Sequence, residues 1–164
     1  MDNISEARLI GLHPVLQDKA RQFYDRCDAE GITVRITQGY RSYNEQLELW
    51  QKGRDEHGNI INPSLVVTHA KPGYSWHSYG MAFDFCPMVN GIPEWNNPPL
   101  WDRCIAIGEG LGLFSGSRWP QPQTDRPHFQ LTGRFPEAPD NEVLEIMASS
   151  GLAQLWIDSG IEST

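Results

Sequence analysis

The chain has 164 residues, of which 39% are hydrophobic and 21% charged, with six Trp, six Phe and five Tyr. This composition excludes a disordered chain, and the length predicts one compact domain, because two domains would each lack an adequate core. Thirteen Lys and Arg against 21 Asp and Glu give a formal charge of −8, which argues against nucleic acid and anionic lipid as partners. An anionic ligand would therefore need a local basic group.

The start of the chain, residues 1–8, has neither the basic nor the apolar region of a secretory signal peptide. No stretch approaches the roughly 20 apolar residues of a membrane span. We therefore expect a protein that is made in the cytoplasm and does not insert into a membrane. Cys27, Cys86 and Cys104 form no Cys-x-x-Cys pair, and we expect three buried thiols.

The first half of the chain predicts helix, strand and helix in that order. Apolar residues at helical spacing follow Pro14 until Gly31, and strict alternation over residues 32–37 predicts a half-buried strand. Ser42 and Glu45 form a capping box, which opens a second helix. The apolar residues expected to face inward from that helix are Leu47 and Trp50.

The second half begins with residues 53–75, a stretch rich in Gly and Pro that predicts a long loop. A strand is expected over residues 79–86, with its bulky side chains in the core and its small and acidic ones on the opposite face, leaving room there for an ion and a substrate. The bulky residues are Met81, Phe83 and Phe85, and the others are Gly80, Ala82 and Asp84. Further elements are helices over residues 100–111, 141–149 and 152–158 and a short strand over residues 128–131.

Two histidines stand out because of their surroundings. His77 precedes the strand that carries Asp84, and His128 follows Asp125 by three residues, with Pro127 stiffening the approach. Two imidazoles and one carboxylate are a standard set of protein ligands for a catalytic zinc, with the fourth position left for water. Asp125 would then be the additional carboxylate that such a site needs as a general base.

These residues resemble the zinc signature of the LAS metallopeptidases, the superfamily of D-Ala-D-Ala carboxypeptidases and dipeptidases. The pattern is Ser75-x-His77-x-x-Gly80-x-Ala82-x-Asp84, followed by Asp125-x-x-His128. Within that superfamily, segments 39–46, 51–54 and 67–75 are similar to the L-alanyl-D-glutamate endopeptidases of phage endolysins and bacterial wall-lytic enzymes. The similarity covers residues 16–131, with the motifs in the same order.

The resemblance implies that His77, Asp84 and His128 bind one Zn²⁺ and that Asp125 is the catalytic acid/base. It also implies that Arg41 faces the scissile carbonyl or a neighbouring substrate carboxylate, although a helix-start salt bridge with Glu45 is the structural alternative. The substrate-binding positions that it assigns are Gln46 and Ser75. His69 is not counted as a ligand, and Trp119 is expected either to wall the cleft or to pack in the core.

Substrate choice follows less directly from the sequence. D-Glu and a D-Ala-D-Ala terminus each carry a free carboxylate, which a cation would bind, and Arg41 and Lys71 are the candidates. The segments that contain these two residues are similar to those of the L-alanyl-D-glutamate endopeptidases, which favours the endopeptidase. Residues 132–164 are too short for a separate cell-wall-binding domain, and we expect them to form a helical extension of the catalytic domain. Residues 55–65 lengthen the loop at the expected cleft entrance.

We therefore expect an α+β fold in which helices flank a small antiparallel sheet, like the D-Ala-D-Ala peptidase and hedgehog fold. The expected function is hydrolysis of the L-Ala-D-Glu bond in peptidoglycan stem peptides by a monomeric enzyme, which reaches the wall from the cytoplasm after release. A D,D-carboxypeptidase and a non-catalytic zinc-containing binding module remain as alternatives. Asp125 argues against the binding module, which would not need an additional carboxylate.

Overall fold

The computed structural model of the protein describes residues 1–162. The helices are α1 (Asn3–Arg8), α2 (Pro14–Ala29), α3 (Tyr43–Gln51), α4 (Pro98–Glu109), α5 (Asn141–Ser149) and α6 (Leu152–Asp158). The strands are β1 (Val34–Gln38), β2 (Ala82–Val89), β3 (Ile92–Pro93), β4 (Phe114–Ser115) and β5 (His128–Gln130). Three single turns of 3₁₀-helix lie at Pro63–Leu65, Trp76–Tyr79 and Gly116–Arg118. No helix among the described residues is long and apolar enough to cross a membrane.

The sheet has the order β1-β2-β5-β4, and all its pairs are antiparallel. The short strand β3 pairs with the end of β2. Asp84 on the central strand β2 lies opposite Gln38 of β1 and His128 of β5. This register brings the expected carboxylate and one expected imidazole side by side, and it confirms the predicted α+β class.

The larger hydrophobic core fills the space between the sheet and helices α2 and α4. Phe23 of α2 lies at its centre, with ring centroids 4.9 Å from Phe85 and 5.3 Å from Phe129. The three cysteines are buried and free, as predicted, with Cys27 and Cys104 facing this core from the two helices. The core therefore supports one face of β2 and β5, and it leaves the opposite face to Asp84 and His128.

A second core cluster lies behind the 3₁₀-helix Trp76–Tyr79. Trp76 and Met81 pack there against Val143 of α5 and Leu155 of α6. The indole nitrogen of Trp156 also donates a hydrogen bond to the carbonyl oxygen of Tyr79 at 2.8 Å. The two C-terminal helices therefore support the segment that carries His77.

The structure corrects the predicted arrangement of residues 80–82. Met81 lies in the second cluster rather than beside Phe83, and Ala82 is fully buried in that same cluster. Gly80 precedes β2 and has a positive φ of 65°; a Cβ there would lie 2.3 Å from the carbonyl oxygen of Gly11. The small residues therefore allow close packing of the chain, and the expectation that they leave room for an ion was wrong.

Other departures from the predictions concern helices. Helix α1, whose N-cap is Asp2, was not predicted. The capping box of Ser42 and Glu45 is present, but Leu47 and Trp50 are only half-buried, and the fully buried residue of α3 is Gln46. Because the buried position of this helix is polar, the spacing of its apolar residues does not indicate which face points inward.

Candidate metal centre

Three side chains converge where β2 pairs with β5, on the face of the sheet opposite the larger core. Nε2 of His77 lies 3.2 Å from Oδ1 of Asp84 and 3.2 Å from Nδ1 of His128, and His128 Nδ1 lies 3.3 Å from the same carboxylate oxygen. One ligand atom from each residue can be chosen so that all three lie within 4.8 Å of one another. The sequence predicted these three residues, and the fold brings them together.

Hydrogen bonds to neighbouring groups fix the orientation of both imidazoles. Nδ1 of His77 lies 2.8 Å from the carbonyl oxygen of Gly39, to which it can only donate. Nε2 of His128 lies 2.9 Å from Oε1 of Gln130. The remaining nitrogens, Nε2 of His77 and Nδ1 of His128, therefore present lone pairs toward Asp84. Such hydrogen bonds from the outer nitrogen are the usual support of metal-binding histidines.

The electrostatics of the site fit a cation. Burial alone would raise the pKa of Asp84, but the adjacent His77 and His128 outweigh burial, and the pKa lies well below its usual range. Burial is the largest single effect on His128 and would lower its pKa, but its hydrogen bonds with Asp84 and Gln130, together with the charges of Asp84 and Asp125, outweigh burial and raise it. A carboxylate that stays ionised between two imidazoles is a donor set of the kind that zinc prefers.

Asp125 lies beside this cluster rather than within it. Its backbone is anchored by a hydrogen bond to the carbonyl oxygen of Gly116 at 3.0 Å, and its own carbonyl oxygen accepts one from the backbone of His128 at 3.3 Å. Burial of the carboxyl group by surrounding protein atoms, followed by the charge of Asp84, raises the pKa of Asp125, although the residue keeps an exposed surface. A carboxyl group with a raised pKa, on a residue that keeps an exposed surface, suits proton transfer.

Gly116 is required by the close approach of these segments. A Cβ at this position would lie 2.5 Å from the carbonyl oxygen of Asp125, 2.9 Å from the Trp119 ring and 3.0 Å from the Cβ of His128. The glycine therefore allows the strand end at β4 to pack directly against the segment between Asp125 and His128.

Arg41 lies on the other side of the cluster. Its backbone donates a hydrogen bond to the carbonyl oxygen of His77 at 3.0 Å, and its Nη2 lies 3.6 Å from Oδ2 of Asp84. Its Nη1 donates to Oε1 of Gln46 at 2.8 Å. Glu45 instead caps α3 through the backbone of Ser42, so the guanidinium faces the metal cluster and not the helix start.

Gln46 is completely buried, and protein groups occupy both ends of its amide. Besides accepting from Arg41, it donates through Nε2 to the carbonyl oxygen of Ala70 at 2.8 Å. Gln46 therefore joins Arg41 to the long loop 52–75. In this arrangement it orients the arginine and the cleft wall.

The other singled-out residues occupy different positions around the site. Ser75 is buried and precedes the 3₁₀-helix that carries His77, whereas His69 and Lys71 are exposed on the loop. The ring centroids of Trp119 and His128 are 4.9 Å apart. Trp119 therefore forms a wall of the site.

Sequence reasoning missed Gln130 and Glu137. Gln130 lies on the same strand face as His128, two residues along β5, and this spacing is a signal that could have identified it. Its Nε2 donates to the backbone carbonyl of Glu137 at 2.9 Å, and the carboxylate of Glu137 accepts from the indole of Trp119 at 3.1 Å. Glu137 acts mainly through its backbone, which no residue pattern reveals.

Comparison with known proteins assigns the chain to a family. Two family profiles described as D-alanyl-D-alanine carboxypeptidase match it: the VanY profile over residues 9–99 and a peptidase M15 profile over residues 68–131. The peptidoglycan L-alanyl-D-glutamate endopeptidase CwlK of Bacillus subtilis is 34% identical over 129 residues, which cover 73% of each protein.

Solved structures show the same fold. The L-Ala D-Glu endopeptidase ChiX of Serratia marcescens matches with a TM-score of 0.57 and 23% identity, over 80% of this chain and 89% of that one. A mutant of the vancomycin resistance D,D-pentapeptidase VanY, in complex with Zn(II), matches with a TM-score of 0.58 and 15% identity. The match covers 88% of this chain and 83% of that one. With this fold, this cluster and these profile matches, the chain belongs to the VanY family of LAS-type peptidases.

Proposed function

We propose that the protein is a zinc-dependent peptidoglycan hydrolase that cleaves the amide bond between L-Ala and D-Glu of the stem peptide. The observation that carries this proposal is the placement of Asp125 and Arg41 on opposite sides of the cluster His77, Asp84 and His128. A site that only bound a metal would need neither an additional carboxylic acid nor a guanidinium at the same cleft.

The three clustered side chains would hold the zinc ion, since their donor atoms, two imidazole nitrogens and a carboxylate oxygen, are of the kind that zinc prefers. When bound, zinc supplies Lewis acidity that polarises a carbonyl group and makes water a stronger acid. The protein contributes the orientation of the ligands. Gln130 and the carbonyl oxygen of Gly39 direct the two imidazole lone pairs inward.

Asp125 would move the proton during hydrolysis. As a carboxylate, it takes a proton from the attacking water, and as a carboxylic acid it returns that proton to the leaving amine of D-Glu. Its raised pKa, caused first by burial and then by the charge of Asp84, brings the two protonation states closer together in free energy at neutral pH. The exposed surface of Asp125 leaves the group accessible to substrate.

Arg41 would stabilise negative charge on the substrate. Its side chain is a cation, and Gln46 and the Asp84 carboxylate hold its guanidinium in place. A positioned donor of this kind contributes roughly 3 to 4 kcal/mol to stabilisation of an oxyanion. Arg41 and the nearby Lys71 are also cations that can receive the free carboxylate of D-Glu.

The 34% identity with CwlK, a named L-alanyl-D-glutamate endopeptidase, supports this bond specificity. The profile description of the family, D-alanyl-D-alanine carboxypeptidase, favours a second candidate in which the terminal D-Ala is released. The same metal cluster, Asp125 and Arg41 would serve both reactions, because both substrates are D-amino acid amides beside a carboxylate.

We extend the proposal to the setting of the enzyme. It would act as a monomeric wall-lytic enzyme of the phage endolysin type that is made in the cytoplasm and acts on the wall after release. The resemblance of segments 39–46, 51–54 and 67–75 to the endopeptidases of phage endolysins supports this part of the proposal. Size-exclusion chromatography with light scattering tests the oligomeric state.

The decisive experiment is mass spectrometry of defined muropeptides incubated with zinc-loaded protein. New fragments that begin at D-Glu would support the endopeptidase, and release of terminal D-Ala would replace it by the carboxypeptidase. Asp125→Ala and His77→Ala should abolish the products, whereas Asp18→Ala, at an exposed site on α2, should not. No cleavage by any zinc-loaded sample would overturn both candidates in favour of a binding module.

A further inference from the structure

A groove lies beside the candidate metal centre, at Asp125. Its volume is about 250 Å³, and Asp125 itself forms part of the lining. Trp95, Trp101, Arg126 and Pro127 form the other walls. A ligand in the groove would therefore touch the residue proposed to move the proton.

Trp95 is held in an exposed position at this groove. It lies 60% exposed, and its indole stacks on that of Trp101 with centroids 5.7 Å apart and an interplanar angle of 26°. Trp101 is 3% exposed and is fixed by a hydrogen bond from its indole nitrogen to the carbonyl oxygen of Glu94 at 2.8 Å. The buried indole supports the exposed one from below, so Trp95 presents a firm aromatic surface to solvent.

Arg126 adds a polar group to the same groove. Its guanidinium lies 6.0 Å from the centroid of the Trp101 ring and donates to the carbonyl oxygen of Pro98 at 3.2 Å. It also pairs with Asp102. The Nε atom is buried and has no hydrogen-bond partner in the part of the chain that the structure describes. The side chain as a whole is 36% exposed, so the groove combines an aromatic surface with a guanidinium group, the mixture that small polar ligands require.

The chemistry of the proposed substrate places a sugar close to the scissile bond. In peptidoglycan the amino group of L-Ala is acylated by the lactyl group of N-acetylmuramic acid, so one amino acid separates the L-Ala-D-Glu bond from that sugar. An extended residue spans at most about 3.6 Å. The sugar must therefore lie on the protein surface that directly adjoins the catalytic cleft.

The charges on the two sides of the metal centre indicate which side receives the sugar. Arg41 follows β1, whereas Asp125 precedes β5, so the two residues flank the central Asp84. The carboxylate of D-Glu fits the Arg41 side and would be repelled by Asp125 and Asp102. The amino sugar, with apolar ring faces and hydrogen-bond acceptors, fits an indole surface and the partly exposed guanidinium of Arg126.

We propose that the groove formed by Trp95, Trp101 and Arg126 binds the N-acetylmuramoyl sugar that precedes the scissile bond, with Trp95 stacking on the sugar ring. This subsite rests on the proposed endopeptidase function and deepens it. It makes the enzyme selective for stem peptides that are still attached to the sugar. A carboxypeptidase, which acts at the far end of the stem peptide, would gain nothing from such a subsite.

The test compares two substrates that differ only in the group on L-Ala. One is an N-acetylmuramoyl tripeptide, and the other is the same tripeptide with an acetyl group in place of the muramoyl group. In zinc-loaded enzyme, Trp95→Ala should lower the ratio of their kcat/KM values by about tenfold, the factor that an aromatic contact of 1 to 1.5 kcal/mol gives. Trp95→Phe should retain most of the ratio, because a phenyl ring can still stack.

Ile92→Ala is the matched control, since Ile92 is 67% exposed on β3 near the groove but does not line it. It should change neither kcat/KM value. An equal decrease of both values in Trp95→Ala, or an unchanged ratio, would overturn the sugar subsite while the endopeptidase remained. Failure of the wild-type enzyme to cleave either substrate would instead overturn the proposed function, and the subsite with it.

Discussion

Nε2 of His128 donates a hydrogen bond to Oε1 of Gln130 at 2.9 Å. The direction of this bond follows from the other end of the amide, where Nε2 of Gln130 donates to the backbone carbonyl of Glu137 at 2.9 Å. The amide oxygen must therefore face the imidazole and accept its proton. Gln130 thus selects the tautomer of His128 in which Nδ1 is free to bind a metal.

This relationship predicts a role for Gln130 in metal affinity. Gln130→Met keeps the length of the side chain but removes the acceptor, and zinc affinity should fall by about 10- to 100-fold, as for other partners of metal-bound histidines. Competition with a fluorescent zinc chelator measures the change. Gln154→Met, on α6, removes an amide whose one side-chain hydrogen bond among residues 1–162 goes to Asp158, and it should leave zinc affinity unaltered. Unchanged affinity in Gln130→Met would show that the hydrogen bond does not orient His128.

The second prediction separates Asp125 from the metal ligands. Asp125→Asn should lower kcat by about 10²- to 10⁴-fold, because the amide can neither take nor return a proton. Zinc content should stay at one ion per chain, since the clustered donors are His77, Asp84 and His128. Asp18→Asn, at a side chain that is 68% exposed, serves as the control. Loss of zinc from Asp125→Asn would instead make Asp125 a ligand.

Removal of the metal should abolish activity and leave the fold intact. Neither hydrophobic cluster includes His77, Asp84 or His128, so a chelator should leave the far-UV circular dichroism spectrum unchanged. Added Zn²⁺ should restore hydrolysis to the wild type but not to His77→Ala. A large decrease of Tm on chelation, without hydrolysis in any metal-loaded sample, would identify a structural zinc and a binding module.

The fourth prediction concerns pH and the N-terminus of α2. Nδ1 of His13 accepts a hydrogen bond from the backbone of Val15 at 3.2 Å and so caps this helix. Burial lowers the pKa of His13 below its ordinary value of 6.5. The unfolded chain therefore takes up a proton at a higher pH than the folded protein, and the free energy of unfolding falls as the pH decreases below about 6.5.

His13→Asn tests this assignment because Asn caps helices without titrating in that range. The variant loses the packing of the imidazole against Trp156, where the centroids are 5.2 Å apart, at every pH. The free energy of unfolding of the variant, relative to that of wild type, should rise by up to about 1 kcal/mol as the pH decreases from 7.5 to 5.5. This is the contribution of an N-cap, which wild type loses when His13 is protonated. Urea unfolding at the two pH values measures this difference. If the free energies of unfolding of wild type and variant changed equally with pH, the group that titrates would not be His13.

Sequence patterns predicted the elements whose side chains repeat with a clear period. Val34 and Ile36 alternate with polar residues, and both are buried in β1. The ligand motif was recognisable because a metal requires particular residue types, and the cluster of His77 with its two partners is present in the structure. Such features depend on side chains, which the sequence specifies directly.

The remaining features depend on the backbone or on packing between distant segments. Gly80 is small because the carbonyl oxygen of Gly11 approaches it, yet the same glycine in a sequence is equally compatible with an open cavity. Gln46 is polar and buried because Arg41 and Ala70 satisfy its amide. Neither contact has a local signal, since the partners lie in loops whose positions only the complete fold determines.

The backbone of Pro136 and Glu137 accepts hydrogen bonds from the indole of Trp76, and that of Glu137 also accepts from Gln130. A chain shortened after Leu131 would retain His77, Asp84 and His128 and still lose these acceptors, along with the helices that cover Trp76. The smallest transplantable catalytic unit therefore extends through α6. A wall-targeting module fused to this enzyme should follow the last helix, because replacing residues 132–158 would remove the support of the site itself.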